Sequence, residues 1–276
     1  MTDIEQLLTE ITAALHLLPC IDAVVLGGSR ARGTATATSD IDIGIYYGAV
    51  TPIDLDALNA IAQRFDDAHR PNLVTATGGW GPWVNAGGWL TIHGQHVDFI
   101  LRDTNRVREI VAECEAGHIS AHYQPGHPHA YINAMYMGEL AVCKVLWDAR
   151  GDVWALKVRA ERYPPALKSA LLGYFGFEAG FSATLAHKNA ATHDCYYVAA
   201  HVVRAISCLN QVIFAYNEQY CINEKRAVAM IEHFACSPRH YQRRVNDIVA
   251  AIGGDASQAC AQLHALVDDV QALAAH

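Results

Sequence analysis

Within the 276-residue chain, chemistry concentrates in Val25-Leu26-Gly27-Gly28-Ser29-Arg30-Ala31-Arg32-Gly33 and in Ser39-Asp40-Ile41-Asp42-Ile43. Gly28-Ser29 falls where a strand gives way to a helix, so free backbone N–H groups, a hydroxyl and the positive end of a helix converge on one point. That point suits phosphate oxygens. Asp40 and Asp42 stand two residues apart on a predicted strand, which sets both carboxylates on one face with Cα atoms about 6.5–7 Å apart. Such a pair grips divalent ions. Two Mg²⁺ ions about 3.5–4 Å apart would clamp the entering and leaving oxygens of an in-line phosphoryl displacement. Asp98 interrupts the apolar segment Val97, Phe99, Ile100, Leu101, where a charge requires a partner. On a neighbouring strand it would ligate the ion that activates an acceptor hydroxyl, and it could also take that hydroxyl's proton.

Gly28-Ser29, ten intervening residues, Asp40-Ile41-Asp42 and Asp98 on a later strand together resemble the DNA polymerase β-type nucleotidyltransferase superfamily. The likeness is nearest to its minimal, small-molecule branch and covers roughly residues 20–103. It implies Mg²⁺-dependent transfer of a nucleoside monophosphate from a nucleoside triphosphate, ATP first among them, to a hydroxyl, with release of pyrophosphate. By this resemblance Gly28 and Ser29 hold the triphosphate with Arg30 beside them, Asp40 and Asp42 bind both metal ions, and Asp98 serves the acceptor side as third metal ligand. An α/β domain followed by a helical one is also the layout of aminoglycoside and lincosamide nucleotidyltransferases. By analogy the acceptor is then an aminoglycoside- or lincosamide-like antibiotic, although fold analogy alone does not choose a substrate.

Two other classes stand beside this reading. Minimal nucleotidyltransferase domains also occur in toxin–antitoxin pairs, where the chain would be a non-catalytic or regulatory partner of a helical ribonuclease module. The Arg-x4–6-His pattern of that module matches at Arg226…His233 and Arg64…His69, about as often as chance supplies. An RNA or protein nucleotidyltransferase is the other alternative, but RNA binding needs a basic track, and the scattered arginines do not form one.

Further along, Asp194, Tyr197, His201, Arg204 and Gln211 trace one polar stripe on a helix read over residues 191–216. The stripe either lines a cleft between lobes, with Lys225 (or Arg226) reaching the triphosphate, or seals an ordinary helix–helix seam. Trp80, Trp83 and Trp89 lie in a glycine-rich connection, where packing of a long hairpin is favoured over stacking on a ligand. His118, His122, His127 and His129 cluster around Gln124-Pro125-Gly126, and a solvated loop is favoured over a transition-metal site. Glu139, Glu178 and Glu224 are read as helical candidates for a general base beyond Asp98.

The elements that must position these residues follow from periodicity. Leu7, Leu8, Ile11, Ala14, Leu15 and Leu18 predict a helix that ends at Pro19 and feeds a core strand, Ile21 to Leu26. A strand over Ile41–Tyr47, a helix over Ile53–Phe65, a strand near Leu73–Thr77, and a hairpin of Trp89–His93 with Gln95–Leu101 turning at His93-Gly94 come next. Asp103-Thr104-Asn105 signals a helix start, and no strand pattern follows it. The expected fold is α+β, with an N-terminal nucleotidyltransferase domain of mixed sheet at residues 1–117 and an all-α domain at 118–276.

Composition agrees with a folded chain: 52% of residues are hydrophobic and 17% charged. The net charge of −8 repels polyanions and attracts cations, so long nucleic acids are poor partners. The eight cysteines lie far apart without a CxxC pair and read as buried hydrophobes. Tyr196–Leu209 is interrupted by His201 and Arg204, so no membrane span is expected. The acidic start, Met-Thr-Asp-Ile-Glu-Gln, lacks the basic region of a secretory signal, which makes a cytoplasmic protein the expectation. Oligomeric state, including a homodimer, is left open.

Overall fold

The computed structural model describes residues 4–48, 50–192 and 194–273; the first three residues, part of the acidic start read above, lie outside them. The helical spacing of Leu7, Leu8, Ile11, Ala14 and Leu15 becomes the buried side of α1 (Ile4–Leu15). The chain then enters β1 (Ile21–Leu26), buried along its whole length. One helical turn, α2 (Gly28–Ala31), and a polar loop lead to β2 (Ile41–Tyr47). α3 (Leu55–Phe65) begins slightly later than the sequence predicts, because Asp54 acts as its cap and accepts the Ala57 N–H at 2.9 Å.

β3 (Ala86–Ile92) and β4 (Gln95–Asp103) form the expected hairpin, with φ of 52° at His93 and 75° at Gly94, as a two-residue turn requires. The Asp67 carboxylate fixes that turn by accepting the His93 N–H at 2.8 Å and the Gly94 N–H at 2.9 Å. α4 (Thr104–Glu115) starts where predicted, with Asp103 accepting the N–H groups of Asn105 and Arg106. The remaining elements are β5 (Ala121–His122), β6 (Tyr131–Ile132), α5 (Ala134–Val142), β7 (Lys144–Asp148), α6 (Asp152–Ala160), α7 (Pro165–Asn189), α8 (Cys195–Tyr216), α9 (Ala227–Ile231), α10 (Tyr241–Ala251) and α11 (Ala256–Leu273).

The architecture is α+β: a mixed five-stranded sheet in the order β3-β4-β2-β1-β7, and a helical C-terminal region. Among the described residues only β2 and β4 run parallel; the other neighbours are antiparallel. One face of the sheet presents Ile41, Ile43, Ile45, Val97, Phe99 and Leu101 to Leu7, Ile11 and Leu15 of α1 and to Leu58 and Ala62 of α3, forming one apolar core. Alternation along each strand sends Asp42, Asp98 and Trp89 to the other face.

Two expectations about strands are corrected. Leu73–Thr77 is not a strand. Asn59 takes the backbone groups of Val74 instead: its Oδ1 accepts the Val74 N–H at 2.8 Å and its Nδ2 donates to the Val74 carbonyl at 3.1 Å. Only Thr75 still donates to Gly87, at 2.9 Å. Conversely, β7 is a strand in the stretch read as purely helical, and it pairs with β1 through Ala23↔Asp148 and Leu26↔Lys144.

Two compact units result, one of Met1–Ala112, Gln124–Gly126 and Tyr136–Arg162, the other of Glu113–Tyr123, His127–Met135 and Tyr163–His276. The sequence reading places a single boundary at 117/118, whereas the chain passes from one unit to the other repeatedly. In the second unit α7 packs along α8, with α10 and α11 against the pair. α8 is long and apolar enough to cross a membrane by length and composition, yet 67% of its most apolar stretch is buried, as in a core helix. It begins at Cys195 with Asp194 as cap, so Asp194 serves the helix start instead of the polar stripe. All eight cysteines are free and six are buried.

Candidate active site

The end of β1 and the start of β2 are joined by the Gly27 N–H, which donates to the Asp42 carbonyl at 2.8 Å. This bond brings the turn after β1 against the Asp42 side chain. Gly28 has φ +58°, and a Cβ placed there would lie 1.7 Å from Asp42 Oδ2. Only glycine allows both the conformation and the approach. The helix expected at this turn is a single turn, α2, so the macrodipole that a longer helix would bring is small. Ser29 follows within α2, half-buried, and its carbonyl accepts the Thr34 N–H at 3.0 Å.

Arg30 has a role the sequence did not indicate. Its Nε donates to the Asp40 carbonyl at 3.1 Å and its Nη2 to the Ser39 carbonyl at 2.6 Å. Ser39 Oγ in turn accepts the Thr36 N–H at 2.9 Å. The guanidinium expected to face phosphate thus clamps the segment that carries Asp40 onto α2. Asp40 itself precedes the first residue of β2 and is exposed.

Strand register brings Asp42 and Asp98 together. β2 and β4 run parallel with Asp42↔Asp98 as direct partners, so the two carboxylates leave the same face of adjacent strands, whose spacing is about 4.8 Å. β3 continues the row, since Trp89↔Asp98 is a partner pair of the hairpin. Among the described residues, neither Asp42 nor Asp98 has a side-chain hydrogen bond or ion pair. The electrostatic result is strain. Burial first, then the neighbouring Asp40, pushes the Asp42 carboxyl above its usual range, with Arg32 and Arg30 pulling the other way. Burial, then Asp42 and Asp40, push Asp98 up to about 6, with His96 opposing. The two anions repel each other, and the nearby Arg32, Arg30 and His96 act on them only from a distance, without an ion pair among the described residues.

The glutamates considered as a further base are all engaged. Glu139 on α5 accepts two bonds from Arg102, each 2.8 Å. Glu178 pairs with Arg204 across the α7–α8 seam, which gives that part of the polar stripe a packing role. Glu224 lies in the turn before α9, not in a helix, and accepts the His129 N–H at 2.7 Å. In the same unit Lys225 is exposed, and its N–H donates to Asn223 Oδ1 at 2.8 Å.

The tryptophans divide as expected for one and not for another. Trp83 is buried, under the Arg106 guanidinium at 4.5 Å. Trp80 stacks on Trp89, ring centroids 4.7 Å apart, and Trp89 is 64% exposed. Of the histidine cluster, His127 Nδ1 faces Glu224 Oε2 at 3.6 Å and His129 Nε2 faces Cys208 Sγ at 3.9 Å. Among the described residues, no three His, Cys, Asp or Glu side chains are gathered closely enough to hold a metal ion. This applies to the histidines and equally to the three aspartates, of which two are adjacent and the third stands at the strand mouth.

No curated protein matches the chain. Among solved structures, the chain is similar to a nucleotidyltransferase-like protein from Exiguobacterium sibiricum, at 9% identity and a TM-score of 0.44, over 98% of this chain and 74% of that one. Residues 8–78, which include Gly28, Ser29, Asp40 and Asp42 and stop before Asp98, match the family model of the nucleotidyltransferase domain, so the chain carries a nucleotidyltransferase domain.

Proposed function

We propose that the chain transfers a nucleoside monophosphate from a nucleoside triphosphate, ATP first among them, onto a hydroxyl of a small cationic molecule such as an aminoglycoside- or lincosamide-like antibiotic, with Mg²⁺ as cofactor. One observation carries this reading: Asp42 and Asp98 are register partners on one sheet face, unpaired, beside a glycine turn that touches Asp42. Two crowded carboxylates without an ion-paired partner among the described residues match the oxygen-donor set that Mg²⁺ takes. Asp40, two residues before Asp42 and just outside β2, would complete the set if the segment that Arg30 holds moved toward them.

When bound, Mg²⁺ would neutralise the triphosphate and polarise the reacting phosphorus. The residues of the chain divide the remaining work. The turn at Gly28-Ser29 offers backbone N–H groups and a hydroxyl to the phosphates, and Gly28 keeps that surface free of a side chain. Asp42 fixes the phosphate end of the row. Asp98, on the strand beside Asp42 and on the same face, is placed to receive the acceptor hydroxyl's proton. The formal charge of −8 favours a cationic acceptor over a polyanion.

The test is incorporation of label from α-³²P-labelled ATP, GTP, CTP or UTP into kanamycin A or lincomycin with Mg²⁺, followed by pyrophosphate release. Labelled product is expected from the wild type, falling at least a hundredfold in Asp42→Asn and in Asp98→Asn. Equal rates in wild type and Asp42→Asn would refute the assignment.

A further inference from the structure

Trp89 is the least expected residue on the sheet. Its neighbours on β3, Gly88 and Leu90, are buried, while the indole is 64% exposed. A lone exposed apolar side chain needs no explanation, but register gives this one an address. The pairs Asp42↔Asp98 and Asp98↔Trp89 set three side chains in a row across β2, β4 and β3 on one face. The turn at Gly28 lies at the Asp42 end. Phosphates held there place the reacting phosphorus over the carboxylates, so the side beyond Asp98, where the indole stands, is left for the hydroxyl that attacks.

The indole is also fixed in place. Trp80 stacks on it at an interplanar angle of 23°. Trp80 can lie there because residue 87 is glycine: a Cβ at Gly87 would come within 2.4 Å of the Trp80 ring. The Trp80 N–H donates to the Asn85 carbonyl at 2.8 Å, its carbonyl accepts from the Gln124 amide, and Arg70 Nη2 donates to the Trp89 carbonyl at 3.2 Å. Ring and backbone are thus held without a ligand, so one face of an aromatic surface is covered by protein and little ordering remains for binding.

We propose that Trp89, backed by Trp80, is the platform of the acceptor subsite and that it selects a cyclic, amine-bearing polyol, an aminated sugar or cyclitol. The indole face attracts the C–H face of such a ring and its ammonium groups, and Asp98 on the next strand accepts from the ring's hydroxyls. A nucleobase stacked on the same indole is the competing arrangement, and it predicts a different experimental result. The proposal rests on the nucleotidyl-transfer reading above and names the residue that selects the acceptor at that site.

The experiment uses the full chain as wild type, Trp89→Ala and Trp89→Phe. Binding of Mg²⁺ with the non-transferable analogue AMPCPP is measured by thermal shift and calorimetry, and the nucleotide-loaded protein is then titrated with kanamycin A and with lincomycin. The expected result is nucleotide affinity within about threefold in all proteins. At least one of the two acceptor probes should bind about tenfold or more weakly to Trp89→Ala, and within about threefold of wild type to Trp89→Phe, which keeps a ring. Unchanged acceptor binding in Trp89→Ala, or no binding of either probe to a nucleotide-loaded wild type, overturns the platform and leaves nucleotidyl transfer standing. Loss of nucleotide affinity in Trp89→Ala overturns it in favour of base stacking. A wild type that binds no nucleotide with Mg²⁺ removes the functional reading and the platform with it.

Discussion

Gly28 and Asp42 occupy the same few ångströms, and much of the site's behaviour follows from that contact. Because a Cβ at position 28 would sit 1.7 Å from Asp42 Oδ2, Gly28→Ala has to push the carboxylate aside or twist the turn away from φ +58°. Displacement of a catalytic group by about 1 Å costs roughly a hundredfold in rate. Gly28→Ala should therefore lose about that factor in nucleotidyl transfer while still unfolding cooperatively, as activity and circular-dichroism melting on one preparation would show. Asp98 gives a second residue-scale prediction. Its carboxyl is raised in the folded chain to about 6 from an ordinary 3.8, so between those values the folded state holds a proton that the unfolded state has released. Stability of the metal-free chain then falls as pH rises through this window, and the full penalty is present above it. Asp98→Asn cannot ionise and escapes the penalty. In EDTA its melting temperature should lie close to that of the wild type at pH 4 and exceed it by several degrees at pH 7.5. The carboxylates and the glycine turn could be picked out as candidates in the sequence because each residue type carries its chemistry with it, whereas the strand expected to hold Asp40 beside Asp42 begins only at Ile41. The role of Arg30 was not, since a guanidinium that binds backbone carbonyls looks the same in sequence as one that binds phosphate.

At the scale of elements, the site depends on strand register. The hairpin turn at His93-Gly94 was legible, and with it the pairs that count back from the turn to Trp89↔Asp98, because a two-residue turn leaves one register open. The parallel pairing of β2 with β4, which sets Asp42 against Asp98, comes from the crossover through α3 and had no local signal. Leu73–Thr77 was misread for a related reason: its apolar alternation is real, but the Asn59 side chain takes the Val74 backbone groups a ladder would use. Asp40 sits outside β2 and depends on the two bonds from Arg30 to the Ser39 and Asp40 carbonyls. Arg30→Gln should free this segment, giving faster amide hydrogen exchange over residues 36–40 and, under the proposed function, a several-fold higher Mg²⁺ requirement, with little change in melting temperature. Arg30→Lys should restore little, because an ammonium cannot supply the planar pair of donors that reaches two carbonyls at once. Full recovery in the lysine variant would show that only charge is needed.

For the whole molecule, the instructive miss is β7. Lys144-Val145-Leu146-Trp147-Asp148 is short, only half-buried and set between two helices, so its alternation is too brief to stand out from a helical pattern. Yet it closes the sheet on the β1 side, and Leu146 and Trp147 pack against the main core. Asp22 on β1 ties the same region together: buried, it accepts from Thr104 Oγ1 at 2.8 Å and from Arg150 Nη2 at 2.7 Å, while its carbonyl accepts the Ala149 N–H at 2.9 Å. A fragment cut at residue 117, where the sequence suggested the catalytic domain ends, lacks every one of these partners except Thr104. It would leave β1 as a long apolar edge strand and Asp22 as a buried anion without its guanidinium, two conditions that favour aggregation and cost several kcal/mol. Such a fragment should be insoluble or melt without cooperativity. A fragment ending at residue 162 keeps β7, α6 and Arg150, and should show a cooperative thermal transition by circular dichroism. In that longer fragment Asp22→Ala should lower stability by about 2–3 kcal/mol in urea unfolding, since it breaks a buried ion pair and strands the Thr104 hydroxyl. A cooperative melt from the 117-residue fragment would instead mean that the sheet closes without β7.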